Sequence, residues 1–200
     1  MLSDIFTLGT LGTDIFTDAI VFPLLTSHVC SRWRTVAFTT PRLWRTLIMT
    51  RNSTLQLSRT IFWLCRSRRS PLRIHLDFRD QNWNWDERSH NFRYTDMEDI
   101  LRVLLPHMAR WQHLELLCDT WEPIFTFLWH TRRRSAPLLQ SIAISRCNAY
   151  FVLPGETFRP PALKRHIQLF DGDAPVLRRI ALAGVHVDWT AGSLRNVTDL

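Results

Sequence analysis

The sequence predicts a mixed α/β (α+β) solenoid, a small helical module followed by strand–helix units whose parallel strands stack into one curved sheet. Three observations carry this. A short segment recurs within the chain, its copies end in an aliphatic-x-aliphatic alternation, and helical patterns separate the copies.

The recurrence is clearest in "APLLQSIAI" (136 to 144) and "APVLRRIAL" (174 to 182), which share Ala-Pro, aliphatics, two polar residues and Ile-Ala-aliphatic. "SPLRIHL" (70 to 76) and "RWQHLEL" (110 to 116) are weaker copies. Each ends on a pair: Ile74/Leu76, Leu114/Leu116, Ile142/Ile144 or Ile180/Leu182. Period two is the side-chain period of a strand with one buried face. The copies lie about 28 to 40 residues apart, which leaves room for a helix between strands. With the aliphatics turned inward, Arg73, His75, Asp77, His113, Glu115, Ser141, Ser145 and Arg179 line the concave side. A doubly wound α/β sheet is the alternative architecture, which the repeat disfavours.

Residues 1 to 50 read as the helical module. Within "FPLLTSHVCSRWRTVAFTTPRLW" (22 to 44), Phe22 and Pro23 start a helix, and Pro41 ends it by holding Thr40 extended. Leu25, Val29, Trp33 and Val36/Ala37 recur every three or four residues and form one apolar stripe. Leu43, Trp44, Leu47 and Ile48 make a second apolar cluster. Upstream, Gly9 and Gly12 weaken any helix in "TLGTLGTDIFTDAIV".

Residues 51 to 200 read as the repeat region. Leu55, Leu57, Ile61, Phe62 and Leu64 mark its first helix. Asp96 caps a second, which carries Ile100, Leu101, Leu104 and Leu105 and ends near Pro106. Thr120 caps a third, with Pro123 in its first turn and Ile124, Phe125, Phe127 and Leu128 inside. Past Ile144 the link to the next strand is long and proline-rich. "LRNVTDL" at the end begins a further unit, which predicts that the 200 residues are a fragment with repeats following.

The formal charge of +7 is almost all arginine, since Lys164 is the only lysine. Such a surface suits carboxylates or phosphates. No apolar run reaches the roughly 18 residues of a spanning helix. The first residues carry an acid where a secretory signal would be positive. Cys30, Cys65, Cys118 and Cys147 are widely separated, as free thiols in a reducing compartment are. A soluble protein of the cytoplasm or nucleus is expected, without membrane association. Nucleophile-elbow, phosphate-loop and zinc-protease motifs are absent, and the histidines are dispersed. No catalytic residue, cofactor or metal is therefore expected.

"RDQNWNWDERSHNFRYTD" (79 to 96) reads as a long loop whose aromatics fold back on the sheet, or as a recognition loop. "RSRR" (66 to 69) and "RRR" (132 to 134) follow helical stretches and meet their negative ends. With the aromatics, these runs are also the best argument for a nucleic-acid partner, which is not the favoured one.

At Val29, Cys30, Trp33, Arg34, Pro41, Leu43 and Trp44 the chain resembles the second half of an F-box, whose signature runs V-C-x-x-W-R and then P-x-L-W. The strand–helix units are similar to the leucine-rich-repeat tails of fungal F-box proteins. "LSDIF" (2 to 6) looks like the Ile-Phe segment of the motif, but the Leu-Pro-x-Glu that usually opens it is absent, so the F-box is incomplete at its N-terminus. The resemblance implies a substrate receptor of a Skp–cullin–F-box ubiquitin ligase. Leu2, Ile5, Phe6, Leu25, Val29, Cys30, Trp33, Leu43 and Trp44 would meet the Skp adaptor, with Trp33 and Trp44 as anchors. The concave face would hold a target protein. A repeat scaffold that recruits no ligase is the alternative.

Overall fold

A computed structural model of the protein describes residues 1–11, 16–86, 89–147, 161–189 and 197–199. Helices α1 (Leu2–Leu11), α2 (Phe16–Val29) and α3 (Ser31–Thr39) come first, and a 3₁₀ turn at Pro41–Trp44 leads into strand β1 (Thr46–Met49). Then α4 (Thr54–Ser67), β2 (Leu72–Asp77), α5 (Tyr94–Leu104), β3 (Trp111–Cys118), α6 (Trp121–Thr131), β4 (Ser141–Arg146) and β5 (Arg179–Ala183) alternate.

The five strands form one sheet in the order β1-β2-β3-β4-β5, and every pairing is parallel. A doubly wound sheet requires the strand order to reverse at a switch point. These strands do not reverse.

The register aligns the repeats. Leu47, Ile74, Leu114, Ile142 and Ile180 form one row across the sheet, and Met49, Leu76, Leu116, Ile144 and Leu182 the next. All but the half-buried Leu182 are buried. Met97, Ile100, Leu101 and Leu104 of α5 and Ile124, Phe127 and Leu128 of α6 belong to the same core cluster. α4 packs on β1, α6 on β3 and β4, and α5 against both α4 and α6. Burial of this kind stabilises by roughly 25 cal/mol per Å² of apolar surface.

Several local expectations change. β1, read from sequence as an apolar cluster, is a strand that joins the helical module to the sheet through β2. All four of its residues are buried, so the strand period was invisible there. Asp96 sits at the third position of α5 rather than at its cap, where its carboxylate accepts the Arg93 backbone amide at 2.8 Å. Thr120 does precede α6 in extended conformation, although its hydroxyl makes no cap bond. Gly9 lies within α1 rather than breaking it: a Cβ there would come within 2.5 Å of the Phe22 ring, so the glycine permits the close crossing of α1 and α2. Gly12 falls outside the described residues, as does most of the final "LRNVTDL" segment. Val197–Asp199 lie beside β5, with the Ile180 amide donating to the Asp199 carbonyl at 3.0 Å.

Candidate functional site

The stretch 22 to 44 is two helices rather than one. Cys30 is extended (φ −160°, ψ 170°) and divides α2 from α3, its Sγ accepting the Trp33 amide at 3.5 Å. Arg34 Nε donates to the Ser27 carbonyl at 3.0 Å, which places a cation on the last turn of α2. Trp33 packs its ring 4.9 Å from Phe6 of α1. Pro41 ends the helical run at Thr40, which is extended, as the residue before a proline prefers. Trp44 is fully buried, and its Nε1 donates to the Ala37 carbonyl at 2.8 Å. These residues act as joints of the module.

α2 has inverted sidedness. Ala19, Pro23, Thr26 and Ser27 are buried with Phe22 half-buried, whereas Val21, Leu24, Leu25, His28 and Val29 are exposed. Both sets follow the i, i+3, i+4, i+7, i+8 spacing of a helix face. The buried hydroxyls are satisfied within the helix: Thr26 Oγ1 donates to the Phe22 and Pro23 carbonyls at 3.0 Å, and Ser27 Oγ to Leu24 at 2.7 Å. α1 repeats the theme, burying Phe6 and Thr10 and exposing Ile5 and Leu8. Exposed apolar side chains thus stand on two adjoining helices, α1 and α2.

The nine residues assigned to this surface therefore separate. Ile5, Leu25, Val29 and Cys30 are exposed, with Leu25 at 63% and Val29 at 61%. Leu2 and Trp33 are half-buried. Phe6, Leu43 and Trp44 are core residues at 1%, 1% and 0% exposure, so they support the surface from beneath. Trp44 as a contact anchor is corrected accordingly, because its ring stands 4.9 Å from Trp63 and 5.6 Å from Phe62 of α4. Val21, Leu24 and Leu8 are the exposed residues that periodicity alone did not single out, since the stripe was drawn through Cys30 as if the helix continued.

On the sheet, the face opposite the helices holds three rows. Thr46, Arg73, His113, Ser141 and Arg179 form the row at the strand starts. Ile48, His75, Glu115, Ala143 and Ala181 form the middle row, and Asp77, Leu117, Ser145 and Ala183 the row at the strand ends. All eight residues assigned to a concave face share this one face. Thr46 and Ile48 are buried at the β1 end, β2 to β4 are half-exposed, and Arg179, Ala181 and Ala183 on β5 are exposed. Parallel sheets usually have both faces covered, so half-exposed polar and small residues along one face are an uncommon feature of such a sheet. Sequence missed Leu117, Ala143, Ala181 and Ala183, whose small or apolar side chains carry no chemical signal.

The face is cross-linked. His75 Nδ1 meets Glu115 Oε2 at 2.8 Å, and His113 Nδ1 meets Ser141 Oγ at 2.7 Å. Arg79 grips Asp77 through Nη2–Oδ2 at 2.6 Å and Nε–Oδ1 at 2.8 Å, which holds the Asp77 carboxyl below the usual range. Burial, together with the guanidiniums of Arg73, Arg179 and Arg45, pushes His113 down to about 4. The unfolded chain then binds the proton more readily than the folded one between about pH 6.5 and 4. Stability is expected to fall as pH is lowered through that window. Urea denaturation at pH 4.5 and 7 checks this, and His113→Gln should flatten the slope.

The loop after β2 folds back. Phe92 is buried and stacks on Phe78 at 3.9 Å, and Trp83 packs 5.1 Å from His90. His90, itself buried, accepts the Phe92 amide on Nδ1 at 3.0 Å and meets Asp119 Oδ2 through Nε2 at 3.1 Å. That clasp was not visible in the sequence, where the two residues lie 29 apart. Trp85 is exposed, and residues 87 and 88 lie outside the described residues. Arg66 lies over Phe38 at 4.6 Å and Arg132 over Trp129 at 3.3 Å, so parts of both basic runs are packed on aromatics. Among the described residues, no three His, Cys, Asp or Glu side chains converge to hold a metal ion, and no helix is long and apolar enough to cross a membrane.

The molecule is thus an α+β protein with a five-stranded parallel sheet, one face packed under helices and the other presenting polar side chains. Comparison with protein-family models, curated proteins and solved structures finds no match to this chain.

Proposed function

We propose that the protein is a non-enzymatic substrate receptor of F-box type, which docks on a Skp adaptor through α1 and α2 and holds a target protein on the open face of its sheet. In this reading the strand–helix units are a leucine-rich-repeat-like solenoid, supported by their sequential strand order and aligned aliphatic rows. The protein works inside the cell, where the cullin ligase and its adaptor reside.

One observation carries the adaptor half: α2 buries Thr26 and Ser27 while Leu24, Leu25 and Val29 face water. A helix folded this way leaves its apolar side for a partner. A specific contact removes about 800 Å² of surface from each partner. The V-C-x-x-W-R and P-x-L-W residues fix the geometry of this patch through the Cys30 break, the Arg34–Ser27 bond and the buried Trp44.

Calorimetric titration of the chain with purified Skp adaptor tests the reading. A one-to-one complex at micromolar concentrations is expected. No complex under those conditions would leave the repeat scaffold without ligase recruitment as the better account.

A further inference from the structure

We propose that the strand-start row of the open face receives an extended acidic segment of the target, with carboxylates set against Arg73 and Arg179. This rests on the reading of that face as the target-binding surface, and it names what the surface selects.

Arg73 and Arg179 share the strand-start row, whereas Asp77 in the strand-end row is already held by Arg79. Rows 73 and 77 are four residues apart, about 13 Å at about 3.3 Å per residue. Glu115, in the middle row, is engaged by His75 at 2.8 Å.

A depression of about 720 Å³ opens over the basic row, lined by Arg73, His113, Glu115, Ser141, Arg179 and Asp199 among others. Its floor includes Ala143 and Ala181, whose short side chains let a second backbone approach the sheet. Arginine's planar fork matches a carboxylate and binds it through two parallel N–H bonds.

His113 sits between Arg73 and Arg179 in the register, and burial first, then the guanidiniums of Arg73, Arg179 and Arg45, keep it neutral down to about 4. Glu115 and Asp199 share the same surface.

Spacing selects the form of the ligand. Arg73 and Arg179 are three strands apart, about 14 Å at about 4.8 Å per spacing, or roughly four residues of extended chain. Cations held that far apart suit two carboxylates at positions i and i+4 better than a single phosphate, which needs them to converge.

The test uses the full chain and a fluorescent peptide with glutamates at i and i+4 in a Ser/Ala background. Expected are binding that weakens with added salt, at least tenfold loss with the exposed Arg179→Glu, and a His113 titration by NMR that moves upward when the peptide is bound. The glutamine version of the peptide should do neither. Equal binding of the two peptides, or indifference to Arg179→Glu and to Arg73→Gln, overturns the proposal. Tighter binding of a peptide carrying one phosphoserine in place of both glutamates overturns the choice of ligand. Adaptor titration of the Arg179→Glu chain separates the readings: peptide binding lost with adaptor binding kept is the expected result. Adaptor binding with no affinity for either peptide sinks this inference alone, and peptide binding without adaptor binding sinks the receptor reading alone.

Discussion

Replacing Leu25 and Val29 together by lysine is expected to weaken adaptor binding on the order of a hundredfold or more while the melting temperature stays within roughly 2 °C. Both side chains are more than half exposed, so neither contributes packing that the fold would miss. Lysine is the chosen replacement because the last turn of α2 favours a cation. At a docked interface the same ammonium groups must be desolvated against apolar surface, and each tenfold loss of affinity corresponds to about 1.4 kcal/mol. Unchanged affinity with an intact fold would place adaptor docking elsewhere.

Trp44→Ala should have the largest effect on stability. The side chain is fully buried among Phe38, Phe62 and Trp63, at ring separations of 5.7, 5.6 and 4.9 Å. Removing such a ring costs about 3–5 kcal/mol through lost transfer and the cavity left behind. It also leaves the Ala37 carbonyl without its indole donor. At about 2–4 °C per kcal/mol for a chain of this size, the melting temperature should drop by roughly 6–20 °C. Calorimetry reads this directly. Any loss of adaptor binding in this variant then reports the loss of the module, because the ring never reaches the surface.

The sheet was legible in sequence because its strands from β2 onward bury one face and expose the other. Alternation at Ile74/Leu76 or Ile142/Ile144 states both the strand and its orientation, so the eight residues expected to face outward do share one face of the sheet. β1 was not legible, because four buried residues in a row have no alternation to read. The helical module misled for a different reason. Leu25, Val29 and Trp33 keep helical spacing across Cys30, yet the chain turns there and the stripe is cut, leaving Leu25 and Val29 outside and Trp33 against Phe6. Hydrophobic periodicity marks a face but does not say whether this chain or a partner covers it. Pairs made by distant chain segments, such as His90 with Asp119, leave no local pattern at all.

The central claim is that the helical patch docks the adaptor while the open face of the sheet stays free for a target. Carbene footprinting of the chain with and without purified Skp adaptor tests it most directly. Ile5, Leu8, Leu24, Leu25 and Val29 should lose label on complex formation, and Arg179, Ala181 and Ala183 should keep it. Protection confined to the β5 side of the sheet, or a stable complex in which α1 and α2 remain fully labelled, would contradict the account.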